Sequence, residues 1–202
     1  MKGRTLILII IIWIIWKLIE HYWVPYFFVP FLWLGLSLML LIILVIQLAK
    51  LIKERKSITK LRIYKVIAFS VLFYLTFYRW TFDKWIEKAD WYILYNKRME
   101  IIDQVKTNKL KPNVSWNNWI CELPYEFPIV SHGGNDIGIS KSQDNETMTI
   151  TFFVFRNFFS APSTKFIYTT RAEDIKYYDE LIADNPADNW KLEKNWYRIL
   201  SE

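Results

Sequence analysis

The sequence predicts a membrane protein with three N-terminal transmembrane helices, followed by a C-terminal α+β domain with an antiparallel sheet of about four or five strands. Residues 1–80 hold long apolar runs and 11 Lys and Arg against only Glu20 and Glu54, for a net charge of +9. Residues 81–202 carry 15 basic and 18 acidic side chains, for a net charge of −3, and their hydrophobic pattern changes from helical spacing to strict alternation. We therefore expect a membrane domain, 1–80, and one soluble domain, 81–202.

The first predicted span covers residues 5–23. The run TLILIIIIWIIW is only about 18 Å long as a helix, too short for a hydrocarbon core of about 30 Å, so the helix must continue to Trp23. No small residues follow the run as they do at a signal cleavage site, which favours an uncleaved anchor.

The second and third predicted spans cover residues 30–48 and 63–80. Pro25 and Pro30 punctuate an aromatic stretch, HYWVPYFFVPFLW, that suits a helical hairpin at the membrane boundary. The basic loop 49–62 separates the two spans. The third span is short unless Lys65 and Arg79 extend their charged groups from its two ends toward water.

The basic residues also predict an orientation. Lys and Arg beside membrane spans stay on the cytoplasmic side, so we expect a cytoplasmic N-terminus, a cytoplasmic loop 49–62 and an extracytoplasmic C-terminal domain in a cytoplasmic (inner) membrane. If the third apolar stretch were an interfacial or buried helix instead, the domain would be cytoplasmic.

The soluble domain begins with a predicted long amphipathic helix, 82–110, which contains no Gly or Pro. Strands follow at residues 137–139, 147–154, 165–169 and 190–200, because apolar and polar residues alternate there. Thr170 and Glu173 have capping-box spacing, which predicts the start of a helix that ends at Asn185-Pro186. We expect the helices at the edge of the sheet or on one of its faces.

Catalytic signatures are weak. His132 lies in SHGGND between Ser131 and Asp136, but neighbours on one extended segment usually point apart, so a turn is the simpler interpretation. Cys121 is the only cysteine, which excludes an intramolecular disulfide and multi-thiolate metal sites. We predict no catalytic residue, metal ligand or cofactor, and no nucleic-acid partner, since the basic residues lie beside the spans.

Two candidate sites remain. The segment after strand 147–154 places Phe155, Arg156, Phe158 and Phe159 in a loop, and aromatic and Arg side chains are enriched in binding hot spots. These residues are the candidate loop for a protein partner outside the cytoplasm, although they could also form core. As the alternative, Lys17, Glu20 and His21 share one helical face, and ionisable groups in a span are candidates for an enzyme or transport subunit.

The soluble half also carries a resemblance. The segments YNKRMEIIDQVKTNKL, CELP, TFFVFRNFF, KFIYTT and KNWYRI, within residues 90–200, resemble a loose group of small bacterial membrane-anchored proteins without an established activity. Similar anchored domains occur among immunity proteins of bacterial toxin systems. The resemblance transfers no site residues and suggests toxin immunity as one version of the function. We expect a non-enzymatic membrane protein whose extracytoplasmic domain binds a protein or an envelope component.

Overall fold

The computed structural model describes residues 3–24, 26–142, 146–155 and 163–201. It divides into two compact units, residues 1–89 and 90–202. The helices are α1 (Gly3–Trp23), α2 (Val29–Lys53), α3 (Lys60–Phe77), α4 (Arg79–Lys106) and α5 (Ala172–Asp184), with a short 3-10 turn at Tyr26–Phe28. The strands are β1 (Ile120–Glu122), β2 (Asp136–Lys141), β3 (Met148–Phe155), β4 (Ser163–Thr169), β5 (Trp190–Glu193) and β6 (Trp196–Ser201).

In the first unit, α3 packs against both α1 and α2. A small apolar cluster joins the three helices, formed by Leu6, Trp13, Leu40, Phe69 and Leu72. Most other apolar side chains of α1 and α2 are exposed, the arrangement expected where acyl chains rather than water surround a helix.

Two of the predicted spans, α1 and α2, are long and apolar enough to cross a membrane. A third span is not confirmed. The apolar stretch ends with α3 at Phe77, and the chain bends by 81° between α3 and α4, so only the bent pair taken together meets the same criterion. Lys60, Arg62 and Lys65 lower the hydropathy of α3 itself.

The second unit is built on one antiparallel sheet with strand order β1-β2-β3-β4-β6-β5. It has six strands where about four or five are predicted. The additional strand β1 is only three residues long and shows no clear alternation. The predicted strand 190–200 is a hairpin, because Asn195, with φ of 67°, reverses the chain between β5 and β6.

Helices cover both faces of this sheet, not one face or an edge as predicted. On one face, Ile101, Ile102 and Val105 of α4 pack on the even-numbered residues of β3, including Ile150 and Phe152. On the other face, α5 packs on three buried side chains, Ile167, Tyr197 and Ile199. The alternation of β3 therefore separates two helix-covered faces instead of a core face from a solvent face.

Two local predictions are corrected. The helix predicted over 82–110 begins at Arg79 and ends at Lys106, and the chain turns beyond it at Asn108, whose φ is 57°. The capping box at Thr170 and Glu173 does not form: Arg171 is the N-cap of α5 and makes no side-chain cap. The Thr170 hydroxyl instead accepts a hydrogen bond from the Met148 N–H of β3 (3.0 Å).

Candidate functional site

The most exposed aromatic side chains of the segment around β1 are Trp116, Trp119 and Phe127. Trp116 is 70% exposed, Phe127 77% and Trp119 39%. They lie in residues 113–135, which we call the aromatic segment. The apolar surface of an exposed aromatic side chain is removed from water only when a partner covers it. This segment is therefore the first candidate for a binding surface.

Trp119 is held in place by the sheet. Its ring lies over Gly138 of β2 and reaches Phe153 of β3, with ring centroids 6.2 Å apart. Its backbone N–H donates to Asn117 Oδ1 (3.1 Å), and its carbonyl accepts from the Ile139 N–H (2.7 Å). A Cβ on residue 138 would stand only 2.0 Å from Trp119 Cζ3, so the glycine is what lets the ring lie on the sheet.

Asn135 organises the second half of the aromatic segment. This buried residue has a left-handed φ of 62°, which Asn tolerates better than most residues. Its Oδ1 accepts from the N–H groups of Val130 (2.7 Å) and Ser131 (3.2 Å). Its Nδ2 donates to the carbonyls of Tyr125 (3.1 Å) and Pro128 (2.9 Å). One side chain thus fixes the backbone on both sides of Phe127.

Asn113 and Arg98 add further anchors. Asn113 Nδ2 donates to the Glu122 carbonyl (2.9 Å), while Asn113 Oδ1 accepts from the Glu122 N–H (2.8 Å). The guanidinium of Arg98, from α4, donates to the Val130 carbonyl through Nη2 (3.1 Å) and also forms an ion pair with the Asp90 carboxylate. This buried cation lies 4.9 Å from the ring centroid of Phe166 in the core. The aromatic segment is therefore fixed to the core and not a free loop.

The aromatic segment meets the start of the loop predicted to bind a partner. The half-buried Phe155 ends β3, and its ring centroid is 6.0 Å from that of His132. The backbone of His132 also donates to the Phe153 carbonyl. Arg156, Phe158 and Phe159 lie outside the described residues. The loop itself therefore stays a prediction, while its first residue adjoins the aromatic segment.

The polar groups of the aromatic segment serve its structure. The Ser131 hydroxyl donates to the Asp136 carbonyl and accepts from the Phe153 N–H (2.9 Å), so the backbone engages it on both sides. Cys121 is buried, and burial raises the pKa of its thiol, which disfavours the nucleophilic thiolate. In the described residues, no group of three or more His, Cys, Asp or Glu side chains has a metal-binding arrangement.

The predicted polar cluster on α1 is buried within the first unit. Lys17 is 2% exposed, Glu20 4% and His21 8%. Lys17 Nζ donates to Glu20 Oε2 at 2.7 Å. The second carboxylate oxygen, Glu20 Oε1, has no hydrogen-bond partner among the described residues. Burying half of a carboxylate without a partner is costly, which marks this site as the second candidate.

Comparisons with protein-family models, curated proteins and solved structures find no match to this chain.

Sequence reasoning missed Trp116, Trp119, Phe127 and Asn135. A signal was present, because NVSWNNW combines two tryptophans with the amide residues that build turns. The decisive contacts connect Trp119 with Gly138 and Asn135 with Tyr125, and neither contact follows a helical or strand periodicity.

Proposed function

We propose that this chain is a non-enzymatic integral membrane protein whose C-terminal domain binds a protein or an envelope component through the aromatic segment. The proposed membrane domain is 1–80, with spans at 5–23, 30–48 and 63–80, and the proposed binding domain is 81–202. The proposed location is a bacterial inner membrane, with a cytoplasmic N-terminus and an extracytoplasmic domain. A toxin-immunity role is one specific version, suggested by the resemblance.

The exposed aromatics on a fixed backbone carry the binding proposal. A partner that covers Trp116 and Phe127 gains their apolar area without having to order the backbone around them, because Asn113 and Asn135 already hold it. Such preorganisation lowers the entropy lost on binding, and Trp is among the most frequent hot-spot residues. Exposed Glu122 and Glu126 provide a polar rim.

The topology is supported by the charge pattern and by the bent helix pair. The basic loop 49–62 follows α2, and the bent pair α3–α4 is long and apolar enough to cross a membrane when it is taken as one broken span. A reporter that is active only outside the cytoplasm, fused after Glu202, is expected to be active. A stable but inactive fusion would refute the three-span arrangement.

The binding proposal is tested by site-specific photo-crosslinking in cells. A photoreactive amino acid placed at Trp116 or at Phe127 in the full chain is expected to give the same discrete adduct. The matched control is Tyr177 on α5, which is also an exposed aromatic but lies outside the aromatic segment. Equal adducts at all three positions, or none at 116 and 127, would contradict the proposal.

The buried α1 cluster supports a second candidate, a membrane enzyme or transport subunit. The specific observation is Glu20 Oε1, a buried carboxylate oxygen that has no hydrogen-bond partner in the described part of the chain and lies beside the Lys17 ion pair. Replacing Glu20 and His21 together with Gln separates the two functions. The second candidate predicts loss of phenotype at normal expression, and an unchanged phenotype eliminates it.

A further inference from the structure

The turn that joins α2 to α3 is a strongly cationic surface. We call residues 50–60 the basic turn. Its exposed basic side chains are Lys50, Lys53, Arg55, Lys56 and Lys60. None of them forms an ion pair among the described residues. The only acidic residue of the turn, Glu54, is already engaged by Arg62.

Arg62 fixes the conformation of the basic turn. Its Nε donates to Glu54 Oε2 (2.8 Å) and its Nη2 to Glu54 Oε1 (2.6 Å), a two-pronged pairing, while Nη1 donates to Gln47 Oε1 (3.0 Å). These hydrogen bonds hold the pKa of the Glu54 carboxyl below its ordinary value, so it stays an anion committed to Arg62. Among the described residues, the five remaining cations form no ion pair, and of the five only Lys50 attracts Glu54 through space.

The ends of the helices reinforce this geometry. The Ser57 N–H donates to the Glu54 carbonyl (2.8 Å), and the Thr59 hydroxyl caps α3 by accepting from the Arg62 N–H (3.3 Å). Lys60 therefore occupies the first position of α3, where the positive end of the helix dipole adds to its own charge. The basic turn is a fixed anion-attracting surface.

The position of the basic turn identifies the anion. It directly follows α2, a 25-residue helix that is long and apolar enough to cross a membrane and that ends at Lys53. The turn therefore lies at the depth of lipid headgroups, and clusters of four to eight Lys and Arg beside a span attract anionic lipids. We infer that the basic turn binds the headgroups of anionic phospholipids. The inference rests on membrane insertion of α2 and not on the aromatic segment.

The test measures lipid binding to the purified full chain in a neutral detergent. Native mass spectrometry counts bound phosphatidylglycerol against phosphatidylcholine as each lipid is added. The test variant carries Lys53→Gln, Arg55→Gln, Lys56→Gln and Lys60→Gln. The matched control carries Lys109→Gln, Lys111→Gln, Lys176→Gln and Lys194→Gln, which removes four exposed charges from the second unit. A detergent micelle has no inside or outside, so a change in membrane orientation of the variant cannot cause the expected loss of lipid binding.

The wild-type chain is expected to prefer phosphatidylglycerol, more strongly at low salt. Each surface cation contributes about fivefold to such binding, so removing four independent cations should weaken phosphatidylglycerol binding by about 600-fold at low salt, and the control by less than about twofold. Replacing Lys53, Lys56 and Lys60 with Arg should preserve the preference, which separates charge from misfolding.

Several outcomes would overturn the inference. These are equal affinity of the two Gln variants for phosphatidylglycerol, a wild-type chain that does not distinguish the two lipids, or displacement of the lipid by millimolar inorganic phosphate. Equally tight binding of a short DNA duplex would point to a nucleic acid instead. None of these results bears on crosslinking at Trp116, so the two proposals fail separately.

Discussion

Substituting Gly138 with Ala should displace Trp119 from the sheet. The new methyl group would meet Trp119 Cζ3 at 2.0 Å and Cε3 at 2.6 Å, while the Thr151 Cβ, at 3.2 Å, blocks relaxation on the strand side. The indole is 39% exposed, so the ring can swing outward. We therefore expect Gly138→Ala to change the aromatic segment while the opposite, α4-covered face of the sheet stays packed.

The size of the effect follows from the buried area of the ring. A buried Trp removes about 150–250 Å² from water, at about 25 cal/mol per Å². The buried three fifths of the Trp119 side chain then account for about 2–4 kcal/mol. A displaced ring keeps some contacts, so we expect the free energy of unfolding to fall by about 2 kcal/mol.

A double-mutant cycle on the full chain in mild detergent tests this explanation. Urea unfolding of the second unit, followed by pulse proteolysis, gives the free energies for Gly138→Ala, Trp119→Ala and the double variant. Because the alanine methyl group acts mainly through the indole, and its contact with the Thr151 Cβ is much looser, the double variant should be about as stable as Trp119→Ala alone. Additive losses from the two substitutions would refute the reasoning.

Three further predictions each concern one buried or half-buried side chain. Asn135→Gly keeps the left-handed backbone but removes four hydrogen bonds, so the second unit should lose about 3 kcal/mol in the same urea assay, with faster amide exchange around Phe127. Thr76→Val leaves the buried Trp13 Nε1–H, now 2.9 Å from the Thr76 hydroxyl, without that acceptor, and should lower thermal stability in detergent by about 1–3 kcal/mol. Burial raises the pKa of Tyr178 to about 12, so stability should fall between pH 10 and 12, and less so in Tyr178→Phe, as followed by circular dichroism in urea.

Each of these predictions has a contradicting result. Unchanged exchange around Phe127 in Asn135→Gly would show that the side chain does not fix the segment. Adding Trp13→Phe to Thr76→Val should restore part of the stability, and a further loss would contradict the lone-donor explanation. For Tyr178, the raised pKa means that the folded state holds its proton more tightly than the unfolded chain, so the stabilisation is complete below pH 10. If wild type and Tyr178→Phe lose equal stability between pH 10 and 12, another ionisable group is responsible for the loss.

The parts of the fold that follow from local pattern were predictable. Strand β3 alternates because successive side chains point to opposite faces, and α1 and α2 are uninterrupted apolar runs. The bend after Phe77 was not predictable in this way. Tyr78 takes a non-helical conformation there (φ −93°, ψ 61°) without any Pro or Gly to mark it. The number of spans therefore depends on a helix break at Tyr78 that no helix-breaking residue in the sequence indicates.

The start of α5 was not predictable from local pattern, because a long-range hydrogen bond replaces the capping box there. The capping-box spacing of Thr170 and Glu173 is correct locally, but the Thr170 hydroxyl binds the backbone of Met148, a strand away. Here a tertiary partner competes successfully with the local motif for the same hydroxyl group.

The aromatic segment depends on the same kind of competition. Gly138 in β2 resembles a weak point in a strand, because glycine loses more entropy there than other residues and has no side chain to pack. Its missing side chain is instead the space that Trp119 occupies. The sequence shows a glycine and a tryptophan 19 positions apart, and only the pairing Ile120 with Gly138 brings them together. The candidate surface is thus created by strand register, a property of the whole sheet, so the coupling of Gly138 to Trp119 is the contact whose measurement most directly tests whether this surface exists.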